Sequence, residues 1–204
     1  YPEDNWQVHF RDTMRGGEML DNWRMAQLHA QEAPARVLEL EAWGALFDRT
    51  KDGRILQRDF GGHRYARLAH VGDRTGLEMI RALQQHAVHK GIDVFMECTI
   101  VRLLKDGERA CRAFGYWRET GRFVVFKAKA VVLGTGGIGK AWEINSNSWE
   151  CTGDGVTLAL DAGAELIDME CQQFHPTGMV WPPSVRGILV TEGVRFNESL
   201  FEVT

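Results

Sequence analysis

Glycines crowd the stretch VVLGTGGIGKAWEINSNSWECTGDG (131–155), and no other segment restricts the possible folds as tightly. Gly134, Gly136 and Gly139 satisfy G-x-G-x-x-G after an apolar run, and 134–140 nearly satisfies the phosphate loop G-x-x-x-x-G-K-[ST]. The phosphate loop fails because Ala141 stands where magnesium needs a hydroxyl ligand. The dinucleotide pattern alone is weak, because such a loop needs a helix directly after its glycines. Here KAWEINSNSWE follows, with two Asn-Ser pairs and no helical apolar face. Asp154 lies about twenty positions on, as a ribose contact would, but inside TGDG at a second helix start instead of at the end of a parallel strand. A different physical reading fits better. Glycines ending a strand let backbone approach a bulky planar ligand, because no Cβ intervenes. Thr152, Gly153, Asp154 and Gly155 add a second approach, with N–H groups at a helix start and a carboxylate that accepts from hydroxyls. Two such loops around a turn-rich segment predict a large dinucleotide bound in an extended form.

The flanking pattern predicts an α/β chain. DNWRMAQLHAQEAPARVLELEAWG offers Asp21 and Asn22 as caps and is interrupted by Pro34, which predicts two helices or one kinked helix. In DRTGLEMIRALQQHAVHKG, Leu77, Ile80, Leu83 and Ala87 share a face, Asp73 or Thr75 can cap, and Gly91 can end the helix. From residue 91 the period becomes strand-like: IDVFMECTIVRLL, RACRAFGYWRE, the turn TGR, RFVVFKA and KAVVLGTGG predict a meander. DGVTLALDAGAEL predicts a helix from near Thr152, and IDMECQQFHP a short strand entering a polar loop.

Composition sets outer bounds. With 204 residues, 44% hydrophobic and 25% charged, the chain can build a sizeable core of one or two domains. A net charge of -4 gives no electrostatic reason to expect nucleic acid, and no apolar run approaches the roughly 20 residues that cross a bilayer. Cys98, Cys111, Cys151 and Cys171 lack zinc spacing and are expected as reduced, mostly buried thiols. His63, His70, His86 and His89 show no ligand spacing, so no metal is expected. Tyr1 stands where a start would have Met, followed by no signal-like region, which predicts a chain lacking its start.

Several ordered motifs together carry a resemblance that no single glycine pattern does. DNWQVHFRDTMRGG (4–17), QRDFGG (57–62), VGDRTGLEM (71–79), VVLGTGG (131–137), NSWECTGDG (147–155) and QFHPTGMVWPPSVRGILVTEGVR (173–195) resemble the flavoprotein subunit of succinate dehydrogenase and the related fumarate reductases. The WPPSVRG loop and the opening are similar to the actinobacterial type. The resemblance implies a Rossmann-like FAD-binding domain with an added β-meander over 1–168, lacking its first strand and G-x-G-x-x-G loop, and the start of an α+β capping domain over 169–204. It implies FAD as cofactor, with Gly61, Asp73, Thr135, Gly136, Gly137, Asn147, Thr152, Gly153 and Asp154 as contacts. VVLGTGG then resembles the second flavin contact, usually A-T-G-G, with Gly134 replacing the alanine.

The same resemblance assigns substrate residues. Phe60 would pack beside the dicarboxylate, His175 and Thr191 would hydrogen-bond one carboxylate, and Glu192 would hold a proton-relay arginine. The chemistry is coherent, because a four-carbon dianion needs fixed donors if its C–H bond is to face a hydride acceptor while a base takes the other proton. Taken alone, Phe60 is a turn aromatic, Glu192 a solvated acid, His175 a structural hydrogen-bonder and Asp73 part of a helix start. The implied partners are succinate or fumarate, an iron–sulfur protein subunit, then indirectly membrane-anchor subunits, which would place the protein peripherally on the cytoplasmic face of a bacterial cell membrane. Fumarate reductase and L-aspartate oxidase remain alternatives, as does an inactive partial chain serving as a structural or interaction module. Two positions depart from the family: Asp59 replaces a frequent proline, and FNESLFEVT follows Arg195 where the family continues G-[DE]-G-G.

Overall fold

The computed structural model describes residues 2–172 and 178–190, within two compact units, Tyr1–Asp93 and Val94–Thr204. The first opens with α1 (Trp6–Gly16), whose cap Asn5 accepts from the Gln7 and Val8 N–H groups at 3.0 and 3.1 Å. The sequence reading missed this helix, and the Asn5 cap was its signal. Asn22 caps α2 (Trp23–Ala42) in the same way, accepting from Arg24 and Met25. Pro34 lies inside α2, which continues through it as one helix. Proline withholds only its own N–H, and the neighbouring alanines and the Arg36–Glu39 pair at 2.7 Å favour helix on both sides.

Ala45, Phe47 and Ala82 form the buried core of this unit, with Val37, Leu40, Ile55, Ala69 and Val71 packed on it. The two-residue strands β1 (Gln57–Arg58) and β2 (Leu68–Ala69) pair antiparallel and close the loop between them. An ionic network holds that loop against α1. Arg67 donates to Asp4 at 2.8 and 3.1 Å and to Asp12 at 2.8 Å. Asp12 also accepts from the Arg64 N–H at 3.0 Å, and Arg15 reaches both Asp12 and the Gly62 carbonyl. Burial pushes the Asp12 carboxyl up, but the Arg64 N–H and the Arg67 and Arg15 guanidinium groups outweigh it and hold the group below its ordinary value.

Helix α3 (Thr75–His89) starts without a side-chain cap, Arg74 standing at the cap position. Neither Asp73 nor Thr75 does the capping expected of it. Thr75 Oγ1 sits one residue inside and accepts from the Val71 N–H at 3.1 Å. The expected end holds, with Gly91 at φ 66°. The expected inward face does not. Leu77, Ile80 and Leu83 are exposed, and the fully buried residue is Ala82. Glu78 explains the helix's orientation, because it accepts from the Leu46 N–H at 2.8 Å and anchors the core loop to the first turn of α3.

These groups make the unit acid-sensitive. The Arg81 guanidinium and the Leu46 N–H hold Glu78 down to about 2. Burial first, then Arg67 and the imidazoles of His29 and His63, lower His9 from its ordinary 6.5; the His29 and His63 rings lie 5.2 and 6.1 Å from it. Folding therefore favours neutral His9, so this contribution is full above the ordinary histidine value and shrinks as pH falls below it. The Glu78 contribution is full above the ordinary glutamate value and is lost as pH falls toward 2. The midpoint of urea unfolding is expected to fall in two steps with decreasing pH, the upper one missing in His9→Gln and the lower one reduced in Glu78→Gln, where the depressed Asp12 carboxyl still contributes.

The second unit is built on an antiparallel meander of β3 (Cys98–Asp106), β4 (Arg109–Trp117) and β5 (Phe123–Lys127), in that order. Gly107 and Gly121 turn the chain at φ 59° and 68°. Gly115 of β4 lies where the β3 register slips between Ile100 and Arg102, and a Cβ there would strike the Thr99 carbonyl. Residues 92–95 lie outside β3. The fourth expected strand, KAVVLGTGG, does not form. The last rung is Ala128 N–H to the Cys111 carbonyl at 3.0 Å; beyond it the segment finds no ladder among the described residues, and Val132 is 91% exposed.

Helix α4 (Asp154–Asp161) packs on β3 and buries Leu158. It starts at Asp154 with Gly153 at the cap position, near Thr152 as expected. Residues 167–172 are turn and coil instead of the expected strand, with Asp168 at φ 55° and the Cys171 N–H bonded back to its carbonyl at 2.9 Å. Gly178 and Leu189 form an antiparallel bridge closing a turn that contains a cis Trp181–Pro182 bond. All four cysteines are free, but three are half-buried and Cys171 is exposed, so their expected burial is not met. The architecture is mixed α/β, and among the described residues both sheets are antiparallel.

Candidate cofactor-binding site

Glycine brings the two loops of the second unit together. Gly155 is buried in the first turn of α4, where a Cβ would collide with the Thr135 side chain. Gly136 adopts φ 74°, and a Cβ on it would lie 3.6 Å from Cys151 Sγ. Gly153 adopts φ 85°, and a Cβ on it would lie 2.7 Å from Ile138 Cγ1. Gly139 leaves no room for a Cβ beside Asn147, and one on Gly137 would lie 4.0 Å from Asn147 Oδ1. The structure therefore places Thr135, Gly136, Gly137, Asn147, Thr152, Gly153 and Asp154 in one neighbourhood.

That neighbourhood has a defined polarity. No side chain caps α4, and the Val156 and Thr157 N–H groups turn back on the Gly153 carbonyl at 3.0 and 3.4 Å. The positive end of the helix is left to an anion. Thr152 Oγ1 donates to Asp154 Oδ2 at 2.7 Å and fixes an exposed carboxylate at the rim. After the glycines the backbone makes only a short 3-10 turn, Gly139–Ala141. Asn145 orders the rest, donating to the Trp142 carbonyl at 2.6 Å and accepting from the Asn147 N–H at 3.2 Å. A cavity of about 300 Å³ separates this loop from the 178–189 turn, with Asn147, Gln172, Met179 and Val180 in its wall. The organising role of Asn145 was missed, although the repeated Asn-Ser pairs were its signal.

Phe60, Gly61 and Asp73 belong to the first unit. Phe60 is 44% exposed, with its ring 6.2 Å from that of His63, and Gly61 lies in the turn closed by His63 N–H to the Phe60 carbonyl at 3.2 Å. Asp73 is exposed in the turn before α3. His175, Thr191 and Glu192 lie outside the described residues. Among the described residues no His, Cys, Asp and Glu group could hold a metal ion.

A flavin dinucleotide needs close backbone approach, donors for its pyrophosphate and acceptors for its hydroxyls. The open space around Gly134, the uncapped start of α4 and the fixed Asp154 carboxylate meet those needs. Residues 1–201 match the FAD binding domain family. The chain belongs to that family. As an FAD binding domain, it is 65% identical to a structure of Mycobacterium smegmatis Sdh1 in complex with UQ1, with a TM-score of 0.88, over 95% of this chain and 34% of that one. It is 46% identical to one of the subunits of the fumarate reductase (CoM/CoB) of Methanothermobacter marburgensis, over 95% of this chain and 36% of the relative. It is 38% identical to the succinate dehydrogenase flavoprotein subunit of Rickettsia felis, over 95% and 33% respectively. The chain thus spans about a third of the length of these relatives.

Proposed function

We propose that this FAD binding domain serves the flavoprotein subunit of a succinate dehydrogenase, which oxidises succinate to fumarate and passes electrons to an iron–sulfur protein, then to quinone. The glycine cradle at the start of α4 carries the reading, in a chain so similar to Sdh1. FAD bound there would supply a two-electron acceptor for hydride from a substrate carbon. Thr135, Gly136, Gly137 and Gly153 would give its backbone approach, and Asn147, Thr152 and Asp154 would bond its polar groups. Gly61 and Asp73 would add contacts from the first unit. Phe60 would exclude water beside the substrate, His175 and Thr191 would hold one carboxylate, and Glu192 would orient a proton-relay arginine.

In this proposal the domain is the Rossmann-like part with its meander over 1–168, and a capping domain begins at 169. The assembly would lie peripherally on the cytoplasmic face of a bacterial membrane through anchor subunits. Among the described residues no helix is long and apolar enough to cross a membrane. The relation to a methanogen fumarate reductase supports a second reading, in which the same site reduces fumarate.

The full-length protein is expected to show flavin absorbance and to reduce a dye in the presence of succinate, with little response to L-aspartate. Absence of flavin would remove the proposal, and faster turnover of fumarate with a reduced dye would favour the second reading.

A further inference from the structure

The turn closed by the Gly178–Leu189 bridge is attached to the Asn147 loop at two points that the flavin reading does not use. At the first, Gly187 holds φ 86°, and a Cβ there would lie 2.5 Å from the Asn145 carbonyl oxygen. Asn145 is the residue whose side chain accepts from the Asn147 N–H. At the second, Arg186 Nη1 meets Glu143 Oε1 at 3.1 Å, while its Nε donates to the Val180 carbonyl at 3.5 Å. Within the turn, Gly187 N–H bonds the Met179 carbonyl and Met179 N–H bonds the Ile188 carbonyl, both at 2.9 Å.

We infer that Gly187 and the Glu143–Arg186 pair are positioning residues, a joint that fixes the Asn147 loop against the 178–189 turn and thereby sets the cofactor cradle. The inference rests on the flavin reading above. A side chain at 187 would have to displace the Asn145 main chain and would itself be strained at that φ. The displacement passes through Asn145 Oδ1 to Asn147, and through the tight Gly139–Asn147 contact to the glycine segment. The ion pair works differently. Glu143 is 85% exposed, so the pair aligns the two backbones without being needed for folding.

The test compares two melting signals of the full-length flavoprotein in urea: visible circular dichroism of the flavin, which reports the cradle, and far-ultraviolet dichroism, which reports the helices. Gly187→Ala is expected to separate them, the flavin signal going first, with the loosened cradle populated about tenfold more than in the parent protein. A residue that only stabilises the fold would move both signals together. Glu143→Arg and Arg186→Glu should each separate them less, by up to about fivefold in that population, and the double variant should bring them back together. If Gly187→Ala fails to fold, the charge-exchange series decides. Signals separated no further than in the parent, or a double variant without recovery, would overturn the joint. A parent protein that never carries flavin would overturn the flavin reading and the joint with it.

Discussion

Arg67→Met is expected to destabilise the first unit by about 3 to 5 kcal/mol, the usual cost of removing one partner from a buried ionic group. The Arg67 and Asp12 side chains are only 8% and 6% exposed, and Asp4 is 18% exposed. Methionine fills the volume of the lost side chain but leaves Asp4 without the Arg67 guanidinium and Asp12 with only the exposed Arg15 at 3.2 Å. Arg67→Lys should fall in between, because one ammonium cannot reproduce the forked contact to both acids. Urea unfolding followed by fluorescence of Trp6 and Trp23 measures the loss. Combining Arg67→Met with Asp4→Leu and Asp12→Leu should recover most of it, since an apolar replacement of a whole buried ionic group is often neutral. Unchanged stability in Arg67→Met would mean the network is not what holds the loop between β1 and β2. Replacing Asp12 in the triple variant also frees the Arg64 N–H, so the Phe60 turn should loosen there and not in Arg67→Met alone.

Gly155→Ala is expected to cost about 1 to 3 kcal/mol through overpacking and to abolish flavin binding. The added methyl enters the space of Thr135, and the first turn of α4 cannot retreat while Leu158 is anchored on the meander. Thermal unfolding and the flavin absorbance of the full-length protein read the two effects separately. Adding Thr135→Gly should restore stability by opening room, but not flavin binding, because the wall of the cradle would still be altered. Retention of flavin in Gly155→Ala would show that the contact between the two loops does not form the cofactor site.

The meander was legible because its signals are local. The short β-branched and aromatic run FVVF and the turn glycines at 107 and 121 need no knowledge of distant chain. KAVVLGTGG has the same local character and yet is not a strand, since a strand also needs a neighbour, which composition does not reveal. The face of α3 failed for a related reason: Leu77, Ile80 and Leu83 have the period of a buried stripe, but the Glu78 contact to Leu46 and the small Ala82 decide which side turns to the core. Pro34 was ambiguous because its effect depends on how well the residues beside it hold a helix. In the cradle, the clustering of glycines was readable, and so was their use for close approach. Which glycine opposes which side chain was not, because the pairs Gly155 with Thr135 and Gly187 with Asn145 join positions far apart in sequence.

The wiring of β3, β4 and β5 has a kinetic consequence. Each ladder joins strands adjacent along the chain, so little loop entropy is spent before pairing begins, and hairpins of this kind close in about 1 to 10 μs. Docking of α4 on β3 requires a much longer excursion of the chain. The order of assembly is therefore asymmetric: the meander can stand as a template while the glycine segment is still searching, and the cradle is completed last.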